Sequence, residues 1–104
     1  MKPITPQNKM NRTEAAYADR LENMKHVGII MDYVFEPFKF VLANRTTYTP
    51  DFLVVFKDRF EIHEVKGFWR DDARVKIKVT AEKFKWFKFI AIQYKRKQWI
   101  IEEF

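Results

Sequence analysis

The sequence predicts an α/β domain in which a mixed sheet of about five strands is flanked by two helices. Its 104 residues suit one small domain with a single core. Apolar residues make up 47% of the chain and aromatic residues 17%, a composition that supports a compact core and argues against disorder. Helical and strand-like segments follow in the order α-β-β-β-α-β-β, which indicates helices packed on a sheet.

The first helix is expected after a flexible, polar N-terminal arm, residues 1–10, and it opens the single domain predicted over residues 11–104. Asn11 is a good N-cap, and the residues RTEAAYADRLENMK that follow favour a helix. Glu14 is expected on the buried side of this helix, which is unusual for an acid. The i, i+4, i+7 spacing of that buried side is formed by Tyr17, Leu21 and Met24.

Three strands are expected next, the last two forming a hairpin. The first strand is VFEPFKFVL, residues 34–42, in which Pro37 indicates a sheet edge or a bulge. After a turn at ANRTT, the segments 49–56 and 60–65 alternate apolar and polar residues on either side of a polar turn at 57–59. This pattern is typical of a β-hairpin.

Residues 71–85 fit either a strand or a helix. The stretch VKIKV alternates as a strand does, whereas Asp71 and Asp72 provide the negative charge that a helix N-terminus favours. Alanines and a helical stripe of apolar residues support the second interpretation, so we expect a helix. The segments 88–94 and 98–104 are expected to be the two closing strands.

Composition narrows the function classes. The absence of cysteine excludes disulfides and cysteine-based zinc sites, and two glycines are too few for a glycine-rich phosphate loop. No apolar run approaches the roughly 18 residues of a membrane span, and no signal peptide is visible, so a cytoplasmic protein without membrane contact is expected. The net charge of +6 favours a polyanionic partner such as nucleic acid, although solubility alone would also explain it.

Charged residues interrupt the apolar faces of the predicted hairpin. Because strand side chains alternate between faces, Glu64 and Lys66 extend the apolar face of Ile62. Asp51 likewise shares a face with Leu53 in the first strand of the hairpin. Antiparallel pairing brings the start of one strand beside the end of the other, so we expect Asp51 close to Glu64 and Lys66.

Two carboxylates and a lysine in this position indicate a Mg²⁺ site for phosphodiester hydrolysis. Buried charges are unfavourable unless they are paired. Mg²⁺ binds through few carboxylates and keeps its other positions for water and phosphate oxygens, and Mn²⁺ is expected to substitute for it. A neighbouring lysine can orient a water or help to deprotonate it. The alternative is a surface ion pair at the edge of the sheet.

Five short motifs follow one another along the chain. Pro50-Asp51 is the only Pro-Asp pair, and Glu64-Val65-Lys66 is the only Asp/Glu-x-Lys triplet. The motifs are EAAY (14–17), EPFKF (36–40), YTPDF (48–52), EVKG (64–67) and RVKIK (74–78). Their order and spacing, over roughly residues 9–93, resemble a family of small phage-encoded proteins in the PD-(D/E)xK nuclease superfamily, which includes restriction endonucleases and junction resolvases.

The resemblance implies a restriction-endonuclease-like fold and a role for each matching residue. Lys66 matches the catalytic lysine of the superfamily. Glu14 matches a helical acid that helps to hold a metal or its water, and its alternative role is to cap the helix. Glu36 is expected at the surface, and the alternative is that it is a spare acid that completes the site. The metal ligands that the resemblance implies are Asp51, Glu64 and the main-chain carbonyl of Val65.

Candidate DNA-binding residues follow the EVKG motif. Phe68, Trp69 and Arg70 lie in a loop that could stack on bases or pack against the next helix. Arg74 and Lys78 have i, i+4 spacing and could reach phosphate, with a solvated helix face as the alternative. His63 faces away from Glu64, and we expect it to be packed or solvated and not catalytic.

Together these features predict a Mg²⁺-dependent DNA endonuclease, acting in the bacterial host cytoplasm if it is phage-encoded. A chain of 104 residues has little room for a separate base-reading domain, so structure-selective cutting of branched, flapped or junction DNA is expected. Paired cuts across a junction would require two active sites and therefore a homodimer. The alternatives are a non-catalytic nucleic-acid-binding module and a compact basic ribonuclease toxin, which would not need a metal.

Overall fold

Helix α1 (Arg12–His26) begins at the N-cap that the sequence predicts. In the computed structural model, which describes residues 9–104, the Asn11 side chain accepts a hydrogen bond from the main-chain N–H of Glu14 at 2.8 Å. The Glu14 carboxylate in turn accepts one from the main-chain N–H of Asn11 at 2.9 Å. This capping box satisfies two donors that the first turn of a helix leaves free. Most of the predicted arm, residues 1–8, lies outside the described range.

α1 covers one face of a five-stranded mixed sheet, and the predicted stripe of the helix makes the contact. Tyr17 and Leu21 are buried, and Met24 is partly buried against the same cluster. The exclusion of these apolar side chains from water holds the helix on the sheet. The sheet residues in this cluster are Phe52, Val54, Val65, Ile90 and Ile92.

The segment predicted as the first strand, residues 34–42, contains two strands that belong to different sheets. β1 (Asp32–Phe35) pairs with the main sheet, whereas β2 (Phe40–Ala43) belongs to a separate two-stranded ribbon. The break falls at Glu36, whose φ of 47° lies in the left-handed region, and at Pro37, which has no N–H to donate. The prediction of one continuous strand was wrong because this backbone conformation is uncommon for a glutamate.

The second strand of the ribbon, β3 (Thr46–Tyr48), begins inside the predicted turn at residues 43–47. Arg45 has a φ of 59°, and this left-handed conformation lets the chain reverse tightly. Phe40 and Tyr48 of the ribbon pack on the sheet face opposite α1. The observed order is therefore α-β-β-β-β-β-α-β-β, with seven strands where five were predicted.

β4 (Phe52–Val55) and β5 (Phe60–Lys66) form the antiparallel hairpin that the sequence predicts. β5 runs parallel to β6 (Lys88–Lys95), and β7 (Gln98–Glu103) pairs antiparallel with β6 at the sheet edge. The strand order across the sheet is β1-β4-β5-β6-β7, so the predicted mixed sheet of five strands is confirmed. Within the described residues, no helix is both long and apolar enough to cross a membrane.

Helix α2 (Asp71–Lys83) connects the parallel strands β5 and β6, which confirms the helix predicted over residues 71–85. Parallel neighbours need a long connection of this kind. Ile77 is buried in the core on the sheet face opposite α1. Val75 and Val79, which made the sequence resemble a strand, are exposed on the helix surface.

A chain of buried polar side chains lies between β5 and α1. The Tyr17 hydroxyl is 2.7 Å from Nδ1 of His63, and Nε2 of His63 is 2.8 Å from Oε1 of Glu61. Arg59 Nε donates to Oε2 of Glu61 at 2.6 Å. His63 is therefore packed, with only 5% of its surface exposed. The hydrogen bonds matter because an unpaired polar group in this position would be strongly destabilising.

We predict that Tyr17→Phe destabilises the protein by about 1–3 kcal/mol, because His63 loses a buried hydrogen-bond partner. Tyr33→Phe is the matched control, since the Tyr33 hydroxyl donates to Glu22 at an exposed position. The control is expected to change the free energy of unfolding by less than about 0.5 kcal/mol. Urea denaturation measures the stability of both variants and of the wild type. A midpoint for Tyr17→Phe equal to that of the wild type would show that this buried hydrogen bond contributes nothing.

Candidate active site

Asp51 and Glu64 meet at the end of the β4–β5 hairpin. Phe52 pairs with His63, so Asp51, one residue earlier, lies opposite Glu64. The main-chain N–H of Asp51 donates to Oε1 of Glu64 at 3.1 Å, and that of Val65 donates to Oδ2 of Asp51 at 2.8 Å. Each carboxylate is thus hydrogen-bonded to the backbone of the opposite strand. This is the proximity that antiparallel pairing led us to expect.

Lys66 and Tyr48 complete the surroundings of Glu64. Lys66 Nζ lies 3.3 Å from Oε2 of Glu64. The Tyr48 hydroxyl, at the end of the β2–β3 ribbon, donates to Oε1. Burial, together with the charge of Glu64, raises the pKa of the Tyr48 hydroxyl, so it stays protonated as a donor. In the sequence, Tyr48 is visible only as part of the YTPDF motif, because its contact with Glu64 depends on how the ribbon folds over the sheet.

The acid pair is buried and electrostatically strained. Asp51 and Glu64 are each only 6% exposed. Burial, with added repulsion from Glu64, raises the pKa of Asp51 from 3.8 to about 8. Burial also raises the pKa of Glu64, although hydrogen bonds from Tyr48 and the charge of Lys66 oppose the shift. Without a cation, the pair therefore holds a proton near neutral pH, which a bound cation would displace.

Lys66 remains positively charged in this environment. Burial alone would lower the pKa of Lys66, but the charges of Glu64 and Asp51 raise it above the usual value. A protonated lysine cannot accept a proton from water. Lys66 can instead donate hydrogen bonds and stabilise negative charge.

The oxygen atoms at this site are of the type that a hard divalent cation prefers. The hydrogen bond from Val65 engages Oδ2 of Asp51 and leaves Oδ1 available as a ligand. Because the N–H and C=O of a strand residue point to the same neighbouring strand, the Val65 carbonyl lies on the Asp51 side of β5. Two carboxylates and a carbonyl fit a metal that keeps several water ligands. Across residues 9–104, no three Asp, Glu or His side chains converge as a ready metal-binding group.

Glu14 and Glu36 approach the pair in different ways. Glu14 closes the capping box of α1, which establishes its capping role. Its charge also contributes to the raised pKa values of Asp51 and Lys66, so it lies within electrostatic range of the site. Its role in holding a metal remains a prediction. Glu36 contacts Asp51 through the main chain, where the Glu36 N–H donates to the Asp51 carbonyl at 2.7 Å.

A cleft of about 420 Å³ opens beside Glu64 and Lys66. One wall comes from the ribbon and the residue before it, and the opposite wall comes from the first half of α2. Trp69, a predicted DNA-binding residue, is half-buried in the lining. The polar side chains of the two walls are Lys39, Thr47 and Thr49 on one side and Asp72 and Lys76 on the other.

The other predicted DNA-binding residues do not line this cleft. Arg70 is the exposed N-cap residue of α2. Arg74 forms a two-pronged ion pair with Glu102 of β7, with distances of 2.9 and 2.6 Å. Lys78 and Arg74 line a separate cavity on another side of α2. Besides Lys66, the cations that line the cleft are Lys39 and Lys76, which no sequence pattern marked as DNA-binding. Lys76 could have been found from its position next to buried Ile77.

No protein-family model matches the chain, and a search among curated proteins finds no match. The resemblance to the PD-(D/E)xK superfamily therefore rests on the five sequence motifs and stays a prediction.

We predict that Tyr48→Phe weakens Mn²⁺ binding about 10- to 100-fold, because Glu64 loses the hydrogen bond that orients it. Tyr94→Phe is the matched control, since Tyr94 is exposed on β6. Isothermal calorimetry measures both affinities, with circular dichroism to verify that each variant folds. Equal Mn²⁺ affinity in wild type and Tyr48→Phe would remove Tyr48 from the site.

We also predict that the metal-free protein loses stability as the pH rises from 5 to 8. The folded state keeps the Asp51 proton up to about pH 8, whereas the unfolded state releases it near 3.8. The unfolded state therefore binds fewer protons in this window, and the free energy of unfolding falls by at most about 1.4 kcal/mol per pH unit. Urea titrations at each pH measure the slope. Asp51→Asn should flatten it, and an identical slope in both proteins would contradict the assignment.

Proposed function

We propose that the protein is a divalent-metal-dependent DNA endonuclease of the PD-(D/E)xK superfamily with a restriction-endonuclease-like fold. The observation that carries the proposal is the buried pair Asp51 and Glu64 with Lys66 beside it, in which Glu64 and Lys66 line a cleft that contains two further lysines and Asp51 lies behind Glu64, outside the lining. A buried acid pair with raised pKa values is unfavourable for stability. Its position at an open cleft is the usual location of groups retained for function.

Asp51, Glu64 and the Val65 carbonyl would hold Mg²⁺ or Mn²⁺. When bound, the ion supplies a more acidic water and neutralises charge that develops on the phosphate. Lys66, held protonated by the two acids, would orient the attacking water and stabilise a phosphate oxygen. Glu14, whose charge acts on Asp51, would add a further carboxylate near the site.

The lining of the cleft supports DNA as the substrate. Lys39 and Lys76 provide positive charge on opposite walls, where they can contact the phosphates on either side of the scissile bond. Trp69 offers an aromatic surface for an unpaired base. A small cleft of this kind suits branched, flapped or junction DNA, and paired cuts across a junction would require a homodimer.

A non-catalytic nucleic-acid-binding module is the second candidate, and one observation favours it. Glu64 already has partners for both oxygens, namely Tyr48 and Asp51 on one and Lys66 on the other. Within the part of the chain that is described, every buried side-chain polar atom has a hydrogen-bond partner. The acid cluster is thus self-consistent without a cation, as a purely structural cluster would be.

Cleavage assays separate the two candidates. Purified protein is incubated with junction, flap and linear DNA, and separately with RNA, in Mg²⁺ or in EDTA. The endonuclease should cut in Mg²⁺ and not in EDTA, whereas a binding module cuts in neither. Cleavage that persists in EDTA on RNA would instead indicate a metal-independent ribonuclease.

We predict that Lys66→Ala abolishes cleavage but keeps DNA affinity within a factor of about 3, because many other cations contribute to binding. Lys39→Ala with Lys76→Ala should weaken binding and reduce its salt dependence, since both line the cleft. Lys97→Ala, in the exposed β6–β7 turn, is the matched control for a lost surface charge. Gel-shift and cleavage assays measure these effects. A Lys66→Ala variant that cuts at the wild-type rate would refute the mechanism.

A further inference from the structure

A second surface with cations and aromatic rings lies at the end of the sheet opposite the candidate active site. β5 and β6 begin there, with Phe60 and Lys88, whereas Lys66 ends β5 at the active site. Lys66 lies six positions after Phe60, which corresponds to about 20 Å along the strand. A cavity of about 410 Å³ marks this surface. The distal patch, as we name it, comprises Arg59, Phe60, Lys85, Trp86, Phe87 and Lys88.

The aromatic part of the distal patch is unusually exposed. Trp86, in the turn after α2, is 80% exposed, and Phe60 is 50% exposed. The Trp86 ring lies 6.3 Å from the ring of Phe84, which supports it from one direction. A tryptophan that packs so little of its surface contributes little to the core. Its open ring face is suited to stacking on a flat partner.

The charges of the patch favour an anionic partner. Three of the residues that line the cavity are cationic, and Glu103 is the acid among them. Glu103 pairs with Lys88 at 3.2 Å, but both side chains are about half exposed, so this pair is weak and phosphate can compete for the lysine. Arg59 is paired with both Asp58 and Glu61, which offset its charge, so Lys85 and Lys88 are the cations of the patch that can contact phosphate.

We propose that the distal patch binds single-stranded DNA, with Trp86 stacked on an unpaired base and Lys85 and Lys88 contacting the flanking phosphates. An exposed ring beside lysines matches the pattern of single-strand binding, in which aromatic side chains stack on bases and cations follow the backbone. Duplex DNA offers no open base face for this contact. The inference does not depend on catalysis, because none of its residues belongs to the acid pair. If the proposed function holds, the patch would hold an unpaired arm of a branched substrate about 20 Å from the cut.

The test measures binding of a fluorescent thymidine oligonucleotide in EDTA, so the outcome is separate from metal binding and cleavage. Trp86→Ala should weaken the affinity about 5- to 100-fold, the expected effect of losing one base–aromatic stack. Tyr94→Ala is the matched control, since Tyr94 is an exposed aromatic residue on β6 outside both the distal patch and the cleft. It should leave the affinity nearly unchanged.

A second measurement uses Trp86 as the reporter. The Trp69→Phe variant lacks the indole of the cleft, and the oligonucleotide should quench its remaining tryptophan fluorescence. Substituting Trp86 as well should remove that quenching. Blunt duplex of the same length should quench much less. Wild-type affinity in Trp86→Ala, equal quenching by duplex, or tighter binding of the matching RNA would overturn the proposal.

Discussion

Strand β5 lies between two layers, and the rest of the structure depends on how its charged residues are paired. Glu61 and His63 point toward α1, where Arg59 and Tyr17 provide partners. Glu64 points to the opposite face, where it meets Asp51, Tyr48 and Lys66. A buried charge without a partner is strongly destabilising, so the fold must place the surrounding elements where they supply these partners. α1 supplies Tyr17 to His63, and the β4–β5 register places Asp51 beside Glu64. The ribbon supplies Tyr48 to Glu64.

The two polar clusters on β5 differ in electrostatics, and this difference separates structure from function. In the α1-side cluster, burial works to raise the pKa of Glu61, but hydrogen bonds from His63 and Arg59 outweigh it and lower the pKa. In the other cluster, two acids share one lysine, and burial raises the pKa of both. The first cluster is a stabilised network. The second holds a proton near neutral pH that a bound cation would displace, at a place where the surface is open.

The β2–β3 ribbon is the least expected element and the one that shapes the candidate site. It lies over the α2 side of the sheet through Phe40 and Tyr48. It also supplies one wall of the cleft, with Lys39 just before it and Thr47 within it. The charged surfaces of the protein are thus at two ends of the same strands, the cleft at the end of β5 and the distal patch at its beginning.

Local patterns in the sequence were sufficient to predict the capped helix α1, the β4–β5 hairpin, the crossover helix and the convergence of Asp51 with Glu64 and Lys66. These features follow from periodicity and from antiparallel pairing between segments close in sequence. Tertiary packing alone decided the rest. The left-handed backbone at Glu36 splits a segment that alternates like one strand, and the rotation of α2 directs Lys76 to the cleft while Arg74 reaches Glu102. Such outcomes depend on contacts between residues far apart in sequence, whose energies no local pattern contains.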